Sequence, residues 1–276
     1  MFTTQSQTRA LSHFLPIFFP KTRIRTAKRA YVSVSCSKTP FDEMIAQSLP
    51  LFNEIATHPF VKGLNAGTMP ETDFLAFLVA DATLFLPPFA SIIRLISERF
   101  NQPTDSFYSL YHVEQFTQLA RRIDISAKNR LAFYHVHHSQ HSAATQDIPA
   151  ISCYLHYMAT MAKESSIPHA VASVSSCLWL YDQLDKQINL TNCPPDHMYS
   201  QWHNRHKFKT DVIPLIASTP SVIGTVKTLI NGVTCPIEKE KNNMAYITPL
   251  KHELSIFNSI CPNEPVAKSG NFLYCK

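Results

Sequence analysis

The chain has 276 residues, 45% of them hydrophobic, and only five glycines, which suits one large domain with a substantial core and excludes Gly-rich phosphate loops: neither G-x-G-x-x-G nor a P-loop occurs. The formal net charge of +5 belongs to one end. Residues 1–40 hold seven Lys/Arg and no Asp or Glu, leaving 18 basic against 20 acidic residues in the body, which therefore lacks the clustered positive charge of a nucleic-acid surface.

That first segment is rich in Arg, Ser and Thr and free of acids, the composition of an organelle transit peptide or of a disordered basic tail. Its apolar run, Phe14 to Phe19, is short and broken by Pro16, so no membrane span is expected there. Residues 1–38 are read as an extension, 39–261 as the domain and 262–276 as a tail. The expected location is cytoplasmic, or mitochondrial or plastid if the extension is a transit peptide. Seven cysteines occur without a C-x-x-C, so neither a zinc knuckle nor a redox pair is indicated. Free thiols suit a reducing compartment.

Thr39-Pro40, followed by Asp42 and Glu43, is a helix start, and Met44, Ile45, Leu49, Phe52 and Ile55 form a helical stripe in which Pro50 introduces a bend. His58 to Pro70 reads as a connecting loop. A second helix begins after Thr68 and runs through Phe74 and Leu78 into Asp81. An acid in so apolar a run must find a partner or stay protonated. Pro87 and Pro88 predict a kink before the helix resumes. A third helix fits Asp105–Arg122 and a fourth Ser126–Ser142. The fourth carries His135, His137, His138 and His141, but forms neither H-E-x-x-H nor E-x-x-H, so it reads as a polar face and no metal site is assigned.

A fifth helix fits Pro149–Glu164. The sixth, Ile167–Leu184, reads as amphipathic, with Ser166 as cap and Ile167, Ala170, Val171, Val174, Cys177, Leu178, Tyr181 and Leu184 on one face. Cys177 and Tyr181 are one turn apart, so the thiol is either a buried structural group or a nucleophile with a polar neighbour. Helices over Asp196–Ala217, Pro220–Ile230 and Ala245–Cys261 complete the chain. No period-2 strand pattern occurs within the domain, so the expected fold class is an all-α, single-domain multi-helix bundle.

Six separated pieces resemble one family. His58-Pro-Phe-Val61 with Gly67-Thr-Met-Pro70, Asp81, Tyr154-Leu-His-Tyr-Met158, Ser176-Cys-Leu-Trp-Leu-Tyr181, Tyr199-Ser-Gln-Trp202 and His252-Glu253 with Ile256-Phe257 are similar, in order and spacing, to motifs of the TenA family (thiaminase II, aminopyrimidine aminohydrolase) over roughly residues 41–261. The resemblance implies a haem-oxygenase-like all-α fold, a homo-oligomer, no cofactor, a small pyrimidine substrate and hydrolysis in thiamin salvage. It implies Cys177 as nucleophile, Glu253 as proton shuttle, Asp81 as a bidentate partner of the pyrimidine, and Tyr154 and Tyr181 as polar and ring contacts.

The chain departs from the pattern at the pocket. Leu84 stands where the family has a stacking Tyr, His206 where it has a pocket Tyr, Ala80 for Gln and Ser176 for Pro. Leu84 removes a stacking face and His206 changes the polarity. The competing readings are a PqqC-like or metal-dependent oxidase on the same fold, and a non-catalytic pyrimidine- or partner-binding protein.

Overall fold

The structure, a computed structural model, describes residues 38–101, 110–138, 148–187, 193–208 and 220–261, all helical or helix-connecting. They belong to one unit, Lys38–Lys276. Helix α1 spans Pro40–Ala56. Thr39 Oγ1 accepts from the Asp42 amide at 3.2 Å, and Asp42 accepts in return from the Thr39 amide and hydroxyl, so the start signal in the sequence is a reciprocal capping box. Phe41, Met44, Ser48, Phe52 and Ile55 are its buried face.

The stretch after His58 is a helix, not the expected loop: α2 covers Pro59–Ala66. The prolines and glycines that suggested a loop are its boundary residues. Pro59 occupies the first turn, the His58 ring accepts from the Phe60 amide at 3.1 Å, and Gly67 closes the end at φ +66°. A Cβ on Gly67 would lie 2.8 Å from Cys193 Sγ, so the close approach of the Cys193-Pro194 segment also requires glycine.

Helix α3, Glu71–Ala80, leads into a π-helical turn, Asp81–Phe85, and then α4, Leu86–Phe100. The irregularity expected at Pro87-Pro88 thus takes the form of a wider turn just before them. Two consecutive prolines leave the carbonyls one turn earlier without α-helical donors, and the wider register brings the Leu86 amide to the Asp81 carbonyl. Glu71–Phe100 is long and apolar enough to cross a bilayer by length and composition. Phe74, Leu75, Leu78, Phe89, Ile93 and Ile96 are nonetheless buried among the other helices.

The two helices expected between residues 105 and 142 are one within the described residues, α5, Leu110–His138. Ser126, the expected start of the fourth helix, is buried in mid-helix. No Pro or Gly interrupts the run, and Phe116, Leu119, Ala120, Ile123, Ala127 and Tyr134 continue one buried stripe across it. His135 is exposed and His137 packs on Phe133 at 4.2 Å. Among the described residues no group of three or more His, Cys, Asp or Glu side chains is placed to hold a metal.

Helix α6 spans Pro149–Glu164, α7 Ile167–Gln187, α8 Met198–Phe208, α9 Pro220–Asn231 and α10 Pro236–Ile260. Residues 209–217, expected to continue α8, lie outside the described residues. Helix α10 starts well before Ala245. Its first turns are polar and carry no apolar period, but Pro236 stands at the first position and Glu238 pairs with Lys241 at 2.8 Å.

The expected one-sided burial of α7 is exceeded. It is buried all round from His169 to Leu178, packed by α10, α6, α9 and α4. Ala170, Ala172, Ser173, Ser175 and Ser176 are small enough for that approach, and the three serines bond to carbonyls of their own helix at 2.8–3.1 Å. Among the described residues Cys177, Cys193, Cys235 and Cys261 are free thiols, whereas Cys153 is disulfide-bonded.

Candidate active site

Three helices bring the polar group together. Helix α7 presents Cys177 and, one turn on, Tyr181; α6 presents Tyr154; α10 presents Glu253. The Tyr181 hydroxyl donates to Glu253 Oε2 at 3.2 Å. Cys177 is 4% exposed, Glu253 2% and Tyr154 fully buried. Glu253 Oε1 and Tyr154 Oη have no partner with full hydrogen-bond geometry among the described residues, although both lie in the polar neighbourhood of the thiol. Tyr154 is held between the Phe85 ring, 5.2 Å away, and the His252 ring, stacked at 5.5 Å.

Burial shapes the titration of this group. The Glu253 carboxyl is pushed up from 4.5 to about 7 by burial, with polar contacts from Cys177, Tyr181 and Tyr154 offsetting part of the rise. The Cys177 thiol is pushed well above its usual range, first by burial and then by the Glu253 charge, with Tyr154 and Arg130 opposing. Burial raises the Tyr154 and Tyr181 phenols as well. At neutral pH the thiol therefore holds its proton, and the carboxylate beside it is close to its own midpoint. Passing the thiol proton to ionised Glu253 moves the single negative charge from the carboxylate to the sulfur and creates no second one.

A narrow cleft reaches this group. Asp81, Phe85, Tyr181 and Glu253 line it together with Phe77, Ala80, Ile148, Ile151 and Ile256. Cys177 and Tyr154 are not part of that wall. Leu84, expected to face the substrate, is not in the wall; it packs partly buried against the core. The π turn is the reason. An α turn sets both the third and the fourth residue over Asp81; the wider π turn swings the third, Leu84, further off that face and leaves the fourth, Phe85, above it. The aromatic face that Leu84 lacks is present one position later. Residue His206 lies in α8, but its side chain is outside the described residues.

Asp81 has found the partner its depth demands. It forms an ion pair with Arg130 of α5, the two side chains being 11% and 16% exposed. The guanidinium carbon lies 5.6 Å from the centre of the Trp202 ring, a cation–π contact. Burial lowers the Arg130 pKa, while Tyr181 and Cys177 raise it. Sequence reasoning missed Arg130 and Phe85. The requirement for a counter-charge at Asp81 was visible, but not which basic residue would meet it. The H-P-F-V piece braces α10: Phe60 stacks on Phe257 at 4.6 Å, and the His58 ring meets Asn258 at 3.2 Å.

This chain is 26% identical to the protein named aminopyrimidine aminohydrolase from Halalkalibacterium halodurans over 162 residues, which are 55% of this chain and 66% of that protein, just under two thirds of its length. It is 24% identical to the protein of the same name from Staphylococcus saprophyticus over 231 residues, 79% of this chain and 91% of that one. Among solved structures, the fold is similar to the TenA homologue from Pyrococcus horikoshii, with a TM-score of 0.64, 18% identity, and 81% of this chain and 98% of that chain covered. It is also similar to the TenA homologue from Pyrococcus furiosus, with a TM-score of 0.61, 14% identity, and 80% and 99% covered. The fold is thus the haem-oxygenase-like all-α fold. The sequence profile of the TENA/THI-4/PQQC family matches residues 45–210, more than half of the chain, and the chain belongs to that family, as a divergent TenA member.

Proposed function

We propose that the protein hydrolyses the C–N bond of an aminomethyl-substituted aminopyrimidine, or of thiamin, to the hydroxymethyl-pyrimidine, as a step of thiamin salvage. The observation that carries the reading is the buried Cys177 thiol beside Glu253, which lines a cleft that also presents Asp81 and an aromatic face. The names of the two bacterial relatives support it.

In this reading Phe85 offers its ring to the pyrimidine face, and Asp81 accepts from the ring amine. Cys177 Sγ adds to an electron-poor ring carbon while its proton passes to Glu253. The ring electrons then expel the leaving group. Glu253 returns the proton to a departing amine; thiazole leaves thiamin as a neutral ring, and that proton goes to solvent. Water adds to the methylene carbon left behind and gives its proton to Glu253. The sulfur–carbon bond breaks, and the thiol regains that proton. One water is consumed, and one amine, or one thiazole with a proton, is released. Tyr181 holds the carboxylate in place throughout, and its donated hydrogen bond favours the anionic form that begins the cycle.

The test is turnover of an aminomethyl-aminopyrimidine and of thiamin, following release of hydroxymethyl-aminopyrimidine. Formation of that product, lost in Cys177→Ser, is the expected result. Absence of product from both substrates overturns the proposal.

A further inference from the structure

The Asp81–Arg130 pair constrains what the cleft can recognise. Asp81 lines the cleft and Arg130 does not; the guanidinium stands behind the carboxylate and takes its Oδ2. That oxygen is fully buried against the guanidinium and closed to a ligand. The two-pronged acceptance of a ring N–H and a ring amine, which an unpaired aspartate would offer, is not available here. What remains is one anionic oxygen at the cleft, which matches a single donor on the ligand.

Arg130 is itself anchored. It sits on α5, a 29-residue helix, its side chain is largely buried, and the Trp202 ring of α8 lies against the guanidinium plane. A counter-charge fixed from two helices holds the carboxylate in one orientation without a bound ligand. The π turn bears on the same point. It sets Phe85 beside Asp81 in the cleft wall, so the carboxylate and the aromatic face act on one bound ring.

We propose that Arg130 is a positioning residue that fixes Asp81 with a single carboxylate oxygen toward the cleft, so that the site selects a flat heterocycle by one exocyclic amine. This rests on the aminopyrimidine reading given above. Arg130 does not touch the ligand. Its effect is on the discrimination between amino and des-amino rings, which a purely structural residue would leave unchanged.

The experiment measures binding of hydroxymethyl-aminopyrimidine, and of its counterpart lacking the ring amine, by calorimetry. Wild-type protein, Arg130→Met, Arg130→Lys and Asp81→Asn are compared, with melting curves for each. The expected wild-type preference for the amino ring is about tenfold or more, the usual value of one charge-assisted hydrogen bond. Arg130→Met is expected to reduce that preference to within about threefold. Arg130→Lys, which keeps the charge without the planar fork, should recover part of it. Asp81→Asn should match Arg130→Met. If Arg130→Met fails to fold, Arg130→Gln, which keeps donors without charge, takes its place with the same expected loss. An undiminished preference in the folded Met or Gln variant overturns the role of Arg130 and leaves the aminopyrimidine reading standing. Failure of the wild-type protein to bind either ring removes both.

Discussion

Tyr181 on α7 donates to Glu253 on α10 across 3.2 Å, one turn along from Cys177, and so joins the two helices at the point where the candidate chemistry is concentrated. The contact lowers the pKa of a carboxyl that burial has raised to about 7. If ionised Glu253 takes the first proton, kcat/KM rises with pH along a limb near pH 7. Tyr181→Phe removes a contact that favours the anion, so that limb moves to higher pH. A pH–rate profile of the two proteins checks this, and coincident limbs would detach Tyr181 from the titration of Glu253.

The same burial gives Glu253 a cost in stability. Its folded pKa lies above its ordinary value of 4.5, so its contribution is fully present below about pH 4.5 and is lost as pH rises through about 7. Above that, the folded state carries a deficit on the order of a few kcal/mol. Glu253→Gln should abolish turnover and yet melt higher than wild type at pH 8, with the difference shrinking toward pH 5. Melting curves at several pH values would read this, and a lower melting temperature for the variant at pH 8 would contradict it.

Cys177→Ser should lose turnover with little change in melting temperature. The hydroxyl is close in size to the thiol, and α7 is held by packing all round the site. A hydroxyl is a much weaker nucleophile, since the attacking species is the anion. Turnover near the wild-type rate would leave Cys177 as a packed, inert thiol.

Phe85 and Leu84 are adjacent and predict opposite outcomes. Phe85→Leu should raise KM by about tenfold while leaving the helix intact, since the aromatic face in the cleft is lost. Leu84→Ala should leave KM unchanged and lower stability by about 1–3 kcal/mol, because Leu84 packs partly buried against the core. Steady-state kinetics with chemical denaturation separates the two. A KM effect at Leu84 rather than Phe85 would mean that the π turn does not orient the site.

A chain beginning at Lys38 should fold. It keeps Thr39, whose capping box with Asp42 starts α1, and the buried face of that helix against α10 and α9. A far-UV helical signal with a cooperative melt is the expected result, and loss of either would assign part of the fold's stability to the preceding residues.

Gly67→Ala should destabilise the protein by about 1–3 kcal/mol. The φ of +66° disfavours any side chain, and the new Cβ would press on Cys193 and Pro194. A melting temperature equal to wild type would show that the α2 end relaxes without cost.

The local chemistry of the sequence was sufficient for much of the helical architecture. Thr39-Pro40, Pro149 and Ile167-Pro168 mark helix starts because capping and the missing proline N–H act within one turn, and α6 runs over the residues its pattern predicts. Where the signal was local but ambiguous, the expectation differed from the fold. His58–Pro70 holds prolines and glycines that serve a loop and a short helix equally, and the polar start of α10 shows no apolar period although it is helical. The grouping of Cys177, Tyr154, Tyr181 and Glu253 was anticipated through resemblance, and helix packing brings them together from three separate helices. Two features of the site belong to tertiary structure alone. The choice of Arg130 as partner for Asp81 depends on how α5 lies across the π turn, a contact between residues far apart in sequence. The substitution of Phe85 for Leu84 in the cleft depends on one extra residue in a single turn, where two prolines withdraw their donors and the backbone widens to bond elsewhere.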